Sequence, residues 1–216
     1  MFKTAIFDLD GVIVDTAKYH FLAWRRLADE LGTRFTEKDN ERLKGVSRMR
    51  SLEILLEVGG LTGKFSESDQ LRLADKKNRW YVEYISKMDK SEILRGTVEC
   101  LNGFRASGIK TALGSASKNA MLILDRLALA PYFDAIVDGT KVSKPKPDPE
   151  VFLLGAKSLG VAPETCVVFE DAQAGIEAAK NGGMKAVAVG SPENLNGYDK
   201  IVKGLYEVDI QDIVRL

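Results

Sequence analysis

Two aspartates, Asp8 and Asp10, follow the apolar run Ala5-Ile6-Phe7 with one leucine between them, and Gly11 comes next. Side chains i and i+2 of an extended chain share a side. Both carboxylates can therefore aim at one point beyond a strand end. Glu170-Asp171 end a second apolar run, Cys166-Val167-Val168-Phe169. A third run, 109–113, leads into Gly114-Ser115-Ala116-Ser117-Lys118-Asn119, and the loop after 133–137 carries Lys144-Pro145-Lys146-Pro147. If these strands are neighbours, one sheet edge gathers Asp8, Asp10, Glu170, Asp171, the serines, Lys118 and Lys144. Several acids at one place repel each other unless a cation sits among them. Oxygen donors favour Mg2+, which keeps waters and binds beside substrate phosphate. Lysine and hydroxyls beside a helix start suit a phosphate. The set points to Mg2+-assisted phosphoryl transfer, with an aspartate as candidate covalent carrier.

The elements that must position these groups are legible from periodicity. Residues 2–8 read as a buried strand, and Asp15-Thr16 as cap types before a helix over 17–31 with the stripe Phe21, Trp24, Ala28, Leu31. Residues 33–90 keep the helical period: Thr36 with Asp39 resembles a capping box, and helices are expected over 49–58 and 68–88. After Gly96 the pattern alternates: helix 97–107, strand 109–113, helix 119–128, strand 133–137, a helix with Pro149 at its first position and Asp148 as cap, strand 166–169, helix 172–181, strand 185–189, then a strand near 201–203 and a helix near 209–215. Such alternation predicts an α/β fold, a Rossmann-like doubly wound parallel sheet with helices on both faces. The expected division is an α/β core over 1–14 and 92–216 with a helical-bundle cap inserted over 15–91. Because the insertion leaves directly after the carboxylate turn, linkers near 14–16 and 91–96 are the candidate hinges.

The chain has 216 residues, 45% hydrophobic, with 31 basic and 31 acidic residues. That balance argues against a nucleic-acid-binding surface. The two cysteines, Cys100 and Cys166, lack metal or disulfide spacing and read as buried thiols. No signal-like segment opens the chain and no apolar run reaches the ~18 residues of a membrane span. A cytoplasmic protein without membrane association is expected, and nothing demands more than a monomer. Gly60-Leu61-Thr62-Gly63-Lys64 is a poor phosphate loop, with Val58 at the first glycine position and Phe65 after the lysine.

Asp8-Leu9-Asp10-Gly11-Val12 resembles the DxDGx(V/T) signature of the haloacid dehalogenase superfamily, and the Ser115 loop, Lys144-Pro145 and Glu170-Asp171 match its other three motifs in order. The helical insertion corresponds to the superfamily's first cap class. Asp15-Thr16, His20, Ala23-Trp24, Leu43-Lys44-Gly45-Val46-Ser47-Arg48, Lys77-Asn78 and the segment 115–119 narrow the likeness to the β-phosphoglucomutase family, up to about residue 190. That resemblance implies interconversion of β-glucose 1-phosphate and glucose 6-phosphate through β-glucose 1,6-bisphosphate. It also implies roles. Asp8 is the nucleophile and Asp10 the general acid/base. Mg2+ is held by Asp8, the Asp10 carbonyl, Glu170 and Asp171. Ser115 and Lys144 hold the transferring phosphate, and Arg48, Ser117, Lys118 and Asn119 hold the second. Lys77, Asn78 and Ser51 face the sugar, Lys44-Gly45-Val46-Ser47 form the specificity loop, Ala116 lies in the substrate loop, and Thr16 and His20 couple the hinge to Asp10. By pattern alone His20 reads as a core histidine and Arg48 and Lys77 as solvated charges; only the resemblance assigns His20 to the hinge and Arg48 and Lys77 to substrate. Whether Lys144-Pro145 is cis stays open. A sugar-phosphate hydrolase on the same scaffold is the alternative, and a silent phosphosugar-binding protein a third, which intact Asp8 and Asp10 disfavour.

Overall fold

A computed structural model describes residues 2–43 and 46–216. Six parallel strands form one sheet in the order β3-β2-β1-β4-β5-β6. They are β1 (Thr4–Phe7), β2 (Lys110–Gly114), β3 (Ala135–Val137), β4 (Cys166–Glu170), β5 (Lys185–Val189) and β6 (Lys200–Val202). Every residue of β1 is buried, as a strand covered on both faces requires. Alternation divides its neighbours. Phe7 stacks on Phe169 at 4.8 Å, with Phe104 of α5 (Thr97–Ala106) edge-on to both. On the opposite face Ile6, Ala112 and Val168 pack with Phe152 of α7 (Glu150–Leu159) and Ile176 of α8 (Gln173–Asn181). Helices α6 (Ala120–Leu127) and α9 (Ile210–Val214) complete this unit. The order of strands reverses between β1 and β4, and open α/β sheets bind ligands beyond the strand ends at such a point.

The chain divides into two compact units, one of Met1–Asp15 with Met88–Leu216 and one of Thr16–Lys87. Asp15 and residues 88–91, expected with the insertion, group with the α/β unit. Its exit and return strands run side by side: Val14 bridges Ile93, Asp15 N–H donates to Glu92 C=O at 3.0 Å, and Leu94 N–H donates to Ile13 C=O at 3.0 Å.

The helical unit holds α1 (Ala17–Glu30), α2 (Glu37–Glu41), α3 (Arg48–Val58) and α4 (Glu67–Ile85). Trp24 and Leu27 of α1, Leu52 and Leu55 of α3, and Tyr81 of α4 are buried, so three helices share one apolar seam. Starts are set by side-chain caps. Thr36 accepts from Asp39 N–H while Asp39 accepts from Thr36 N–H, and Ser47 and Ser66 cap α3 and α4. Helix α7 starts one residue later than the sequence pattern predicts. Pro149, not Asp148, is the boundary residue, although Asp148 still accepts the Glu150 N–H at 3.0 Å. Among the described residues no helix is long and apolar enough to cross a membrane. Burial pushes the Cys100 thiol up to about 12, and burial with Glu164 pushes Cys166 up to about 11, so neither is a ready nucleophile at neutral pH.

Candidate active site

Asp8 leaves β1 and Glu170 ends β4, and the pairing Phe7 with Phe169 brings these two strand ends level. The Asp8 N–H donates to Phe169 C=O at 2.9 Å, which fixes the backbone from which the carboxylate projects. Asp8 and Glu170 are both buried. Between them lies a lysine ammonium, that of Lys146, with Nζ 2.5 Å from Asp8 Oδ1 and 2.7 Å from Glu170 Oε2. The other Glu170 oxygen accepts the Ala172 N–H at 3.1 Å.

This is a correction to the expectation for Lys144. The Lys144 side chain is 69% exposed and pairs with Asp148 at 3.5 Å. Lys146 is 2% exposed and holds the place expected of Lys144. The cis peptide bond of this loop is Lys146-Pro147. The reason for the difference is local. Lys-Pro occurs twice, two residues apart, and both copies satisfy a short pattern. The second abuts the first turn of α7 and is carried by it. Registering the loop from the apolar face of that helix, Val151 and Phe152, would have selected Lys146.

Carboxylate oxygens of Asp8, Glu170 and Asp171 lie within 4.8 Å of one another. Asp10 is not in this cluster by its carboxylate, and its expected share in a metal site is its backbone carbonyl. Two glycines make room for the acids. Gly11 has φ +80°, and a Cβ there would overlap the Asp171 carboxylate; a Cβ on Gly175 would overlap that of Glu170. One ammonium against three carboxylates leaves a local excess of negative charge. Hard oxygen donors with that charge and that spacing fit a divalent cation. Burial and the Asp8 charge raise the Glu170 carboxyl above the ordinary carboxylate range, against the Lys146 interactions that lower it. Burial disfavours charge on Lys146, yet Asp8 and Glu170 outweigh it and hold the ammonium above the usual lysine range.

The neighbouring strand end supplies hydroxyls. Ser115 follows β2, is buried, and accepts the Ser117 N–H at 3.1 Å; Ser117 Oγ accepts the Asn119 N–H at 3.2 Å. Ala116 and Ser117 are half-buried, Lys118 is exposed, and Asn119 is the boundary residue before α6. This loop is fixed from behind by Ser115 N–H donating to Val137 C=O at 2.9 Å.

The helical unit gathers a second set. Lys77 is buried, with Nζ 2.9 Å from His20 Nδ1 and over the rings of Trp24 and Tyr81 at 4.5 and 4.8 Å. His20 stacks on Tyr81 at 4.0 Å, and its backbone N–H donates to Thr16 C=O at 3.1 Å. Thr16 is fully buried. Arg48 opens α3 and pairs with the exposed Asp75 at 3.4 Å, and Ser51 is buried one turn on. Asn78, Val46 and Ser47 are half-buried. Lys44 and Gly45 lie outside the described residues.

Burial, then the charges of Lys77 and Arg48, hold the His20 pKa well below 6.5. The neutral ring accepts the Lys77 proton donor at Nδ1, which leaves the hydrogen on Nε2. An unfolded chain takes up a proton near 6.5 while the folded one does not. Stability is therefore full above that pH and falls as the pH drops toward the folded pKa. His20 is the sole histidine of the chain. The thermal midpoint should thus fall more steeply from about pH 7 to about pH 5 in the native protein than in His20→Gln. Parallel slopes would show that His20 does not carry the effect.

The family model described as haloacid dehalogenase-like hydrolase matches residues 2–183. A Bacillus subtilis protein named beta-phosphoglucomutase is 44% identical over 97% of this chain and 92% of its own length. A Thermotoga maritima protein named phosphorylated carbohydrates phosphatase is 36% identical over 86% of this chain and 83% of its own. Among solved structures, that of a beta-phosphoglucomutase from Clostridium difficile superposes with a TM-score of 0.93 at 43% identity, covering 100% of this chain and 96% of the other.

Proposed function

The chain belongs to the haloacid dehalogenase-like hydrolase family, and from that premise we propose that it is a β-phosphoglucomutase, an Mg2+-dependent isomerase that interconverts β-D-glucose 1-phosphate and glucose 6-phosphate. The observation that carries this reading is the buried Asp8 carboxylate at the strand-order reversal, 2.5 Å from the Lys146 ammonium and inside a three-carboxylate cluster. The likeness to phosphoglucomutases over nearly the whole chain selects the reaction.

In this reading Asp8 carries the phosphoryl group between sugars. The C6 hydroxyl of β-glucose 1-phosphate attacks the phosphorus of aspartyl-phosphate, and Asp10 takes the hydroxyl proton. The acyl P–O bond breaks, Asp8 leaves as carboxylate, and β-glucose 1,6-bisphosphate results. The bisphosphate turns, and an Asp8 oxygen attacks the C1 phosphate. That bond to sugar oxygen breaks, Asp10 returns its proton to the oxygen, and glucose 6-phosphate departs with aspartyl-phosphate restored. Lys146, in place of Lys144, neutralises charge spread over the transferring oxygens, with Ser115 donating beside it. Asp8, Glu170, Asp171 and the Asp10 carbonyl would hold Mg2+, which when bound would supply further positive charge beside the transferring phosphate. Arg48 takes the distal phosphate together with Ser117, Lys118 and Asn119. An exposed pair such as Arg48–Asp75 contributes little, so exchanging Asp75 for a phosphate that the guanidinium grips at two points costs little. Lys77, Asn78 and Ser51 contact the sugar in this reading, and Lys44 to Ser47 decide which sugar is taken.

A coupled assay tests it. With β-glucose 1-phosphate, Mg2+ and a trace of bisphosphate, glucose 6-phosphate should form without matching free phosphate. Stoichiometric free phosphate and no isomerisation would favour a sugar-phosphate phosphatase instead, the activity named for the Thermotoga relative. Arg48→Ala should lower isomerisation about 100-fold and hydrolysis of a simple aryl phosphate about 3-fold or less. Equal losses would remove the second phosphate site from the proposal.

A further inference from the structure

Lys146 projects from a loop that is closed on itself. The Glu150 carboxylate accepts the Lys144 N–H at 2.7 Å, the Ser143 N–H at 2.8 Å and the Ser143 hydroxyl at 3.0 Å. Glu150 N–H donates to Asp148 Oδ1 at 3.0 Å, and Asp148 N–H donates to Pro145 C=O at 3.0 Å. On the far side Asn181 Nδ2 donates to Pro147 C=O at 3.1 Å. Pro145 and Pro147 flank Lys146 and restrict the backbone on either side. Helix α7 thus anchors the loop through Glu150 and lines the lysine through Phe152, whose ring lies 4.7 Å from Nζ.

An acid in the first turn of a helix has an ordinary use, since it complements the helix dipole. That use would not need three donors from residues six and seven positions upstream. We propose that Glu150 is a positioning residue for phosphoryl transfer: by holding the Ser143 and Lys144 amides it fixes the loop that delivers Lys146 to Asp8. The inference rests on the reading of Lys146 as a contact to the transferring phosphate. Its energetic logic is preorganisation. A lysine on a loose loop still reaches two carboxylates, which attract it over a distance. It no longer stands where an incoming phosphoryl group needs it without rearrangement, and misplacement on that scale is felt in rate.

The test is a double-mutant cycle with the full chain: native, Glu150→Ala, Lys146→Ala and the double variant. Two readouts are taken, kcat/KM on an aryl phosphate and Mg2+-dependent affinity for orthovanadate, a phosphate mimic. Glu150→Ala alone should lose about tenfold in both, and less than about twofold when Lys146 is already absent. A similar loss in both backgrounds would mean that Glu150 acts structurally and not through Lys146, which overturns the inference. So would an unchanged single variant. If Glu150→Ala does not melt cooperatively, Glu150→Gln runs the same cycle, since it keeps one acceptor oxygen and should lose about threefold only where Lys146 is present. A native protein that neither binds vanadate nor hydrolyses the aryl phosphate would remove the phosphoryl-transfer reading and this inference with it.

Discussion

Asp8→Asn should abolish isomerisation, with a loss of at least about 10,000-fold, while the protein still folds. The substitution keeps shape and leaves the backbone bond from Asp8 to Phe169 untouched. It removes the oxygen that would form the acyl phosphate, because an amide oxygen is a poor nucleophile. It also withdraws one of the three carboxylates of the cluster. Lys146 keeps its bond to Glu170 at 2.7 Å, so no buried ammonium is stranded. The fold should then survive, and the measurement separates chemistry from stability: an unchanged melting transition, no hydroxylamine-sensitive phosphoenzyme on mixing with the bisphosphate, and no glucose 6-phosphate. Retained isomerisation would take Asp8 out of the nucleophile role.

The parts of this site that were legible in the sequence are those coded locally. Asp8 and Glu170-Asp171 each close an apolar run, and strand ends in an alternating chain are readable from the run itself. The Thr36–Asp39 box and the cap at Ser66 are likewise short-range signals. Strand order is different. Nothing in the run lengths says that β1 lies between β2 and β4, yet that neighbour relation is what sets Asp8 level with Glu170. The glycine clearances belong to the same class. Gly175 sits inside α8, where glycine is an unfavourable choice, and the reason is the Glu170 carboxylate across from it. The lysine beside Asp8 escapes a local reading for a third reason. Lys144 and Lys146 have the same neighbour on the C-terminal side, and what separates their roles is how far each stands from the anchor at Glu150. That distance has meaning only once the loop is closed.

Lys146→Ala and Lys144→Ala should therefore part company. The Lys146 ammonium lies between two buried carboxylates, and removing it leaves both without that counter-charge in a site that already holds a third. Breaking a buried pair by deleting one partner typically costs about 3–5 kcal/mol. Part of that should return on adding Mg2+, because a bound cation offsets the same charge and stabilises the state that binds it. The variant's melting transition should accordingly respond to Mg2+ more than the native protein's does. Turnover should fall about 100- to 1,000-fold even at saturating Mg2+, the usual consequence of losing one preorganised charge at a transferring group. Lys144 is largely solvated and meets Asp148 at 3.5 Å. An exposed pair of that kind is worth at most about 1 kcal/mol, so Lys144→Ala should stay within about twofold of native activity. Melting curves with and without Mg2+, together with kcat for both variants, decide between the two lysines. Comparable losses at Lys144 would reverse the assignment made from the loop geometry, because no route for such an effect runs through a side chain that water surrounds.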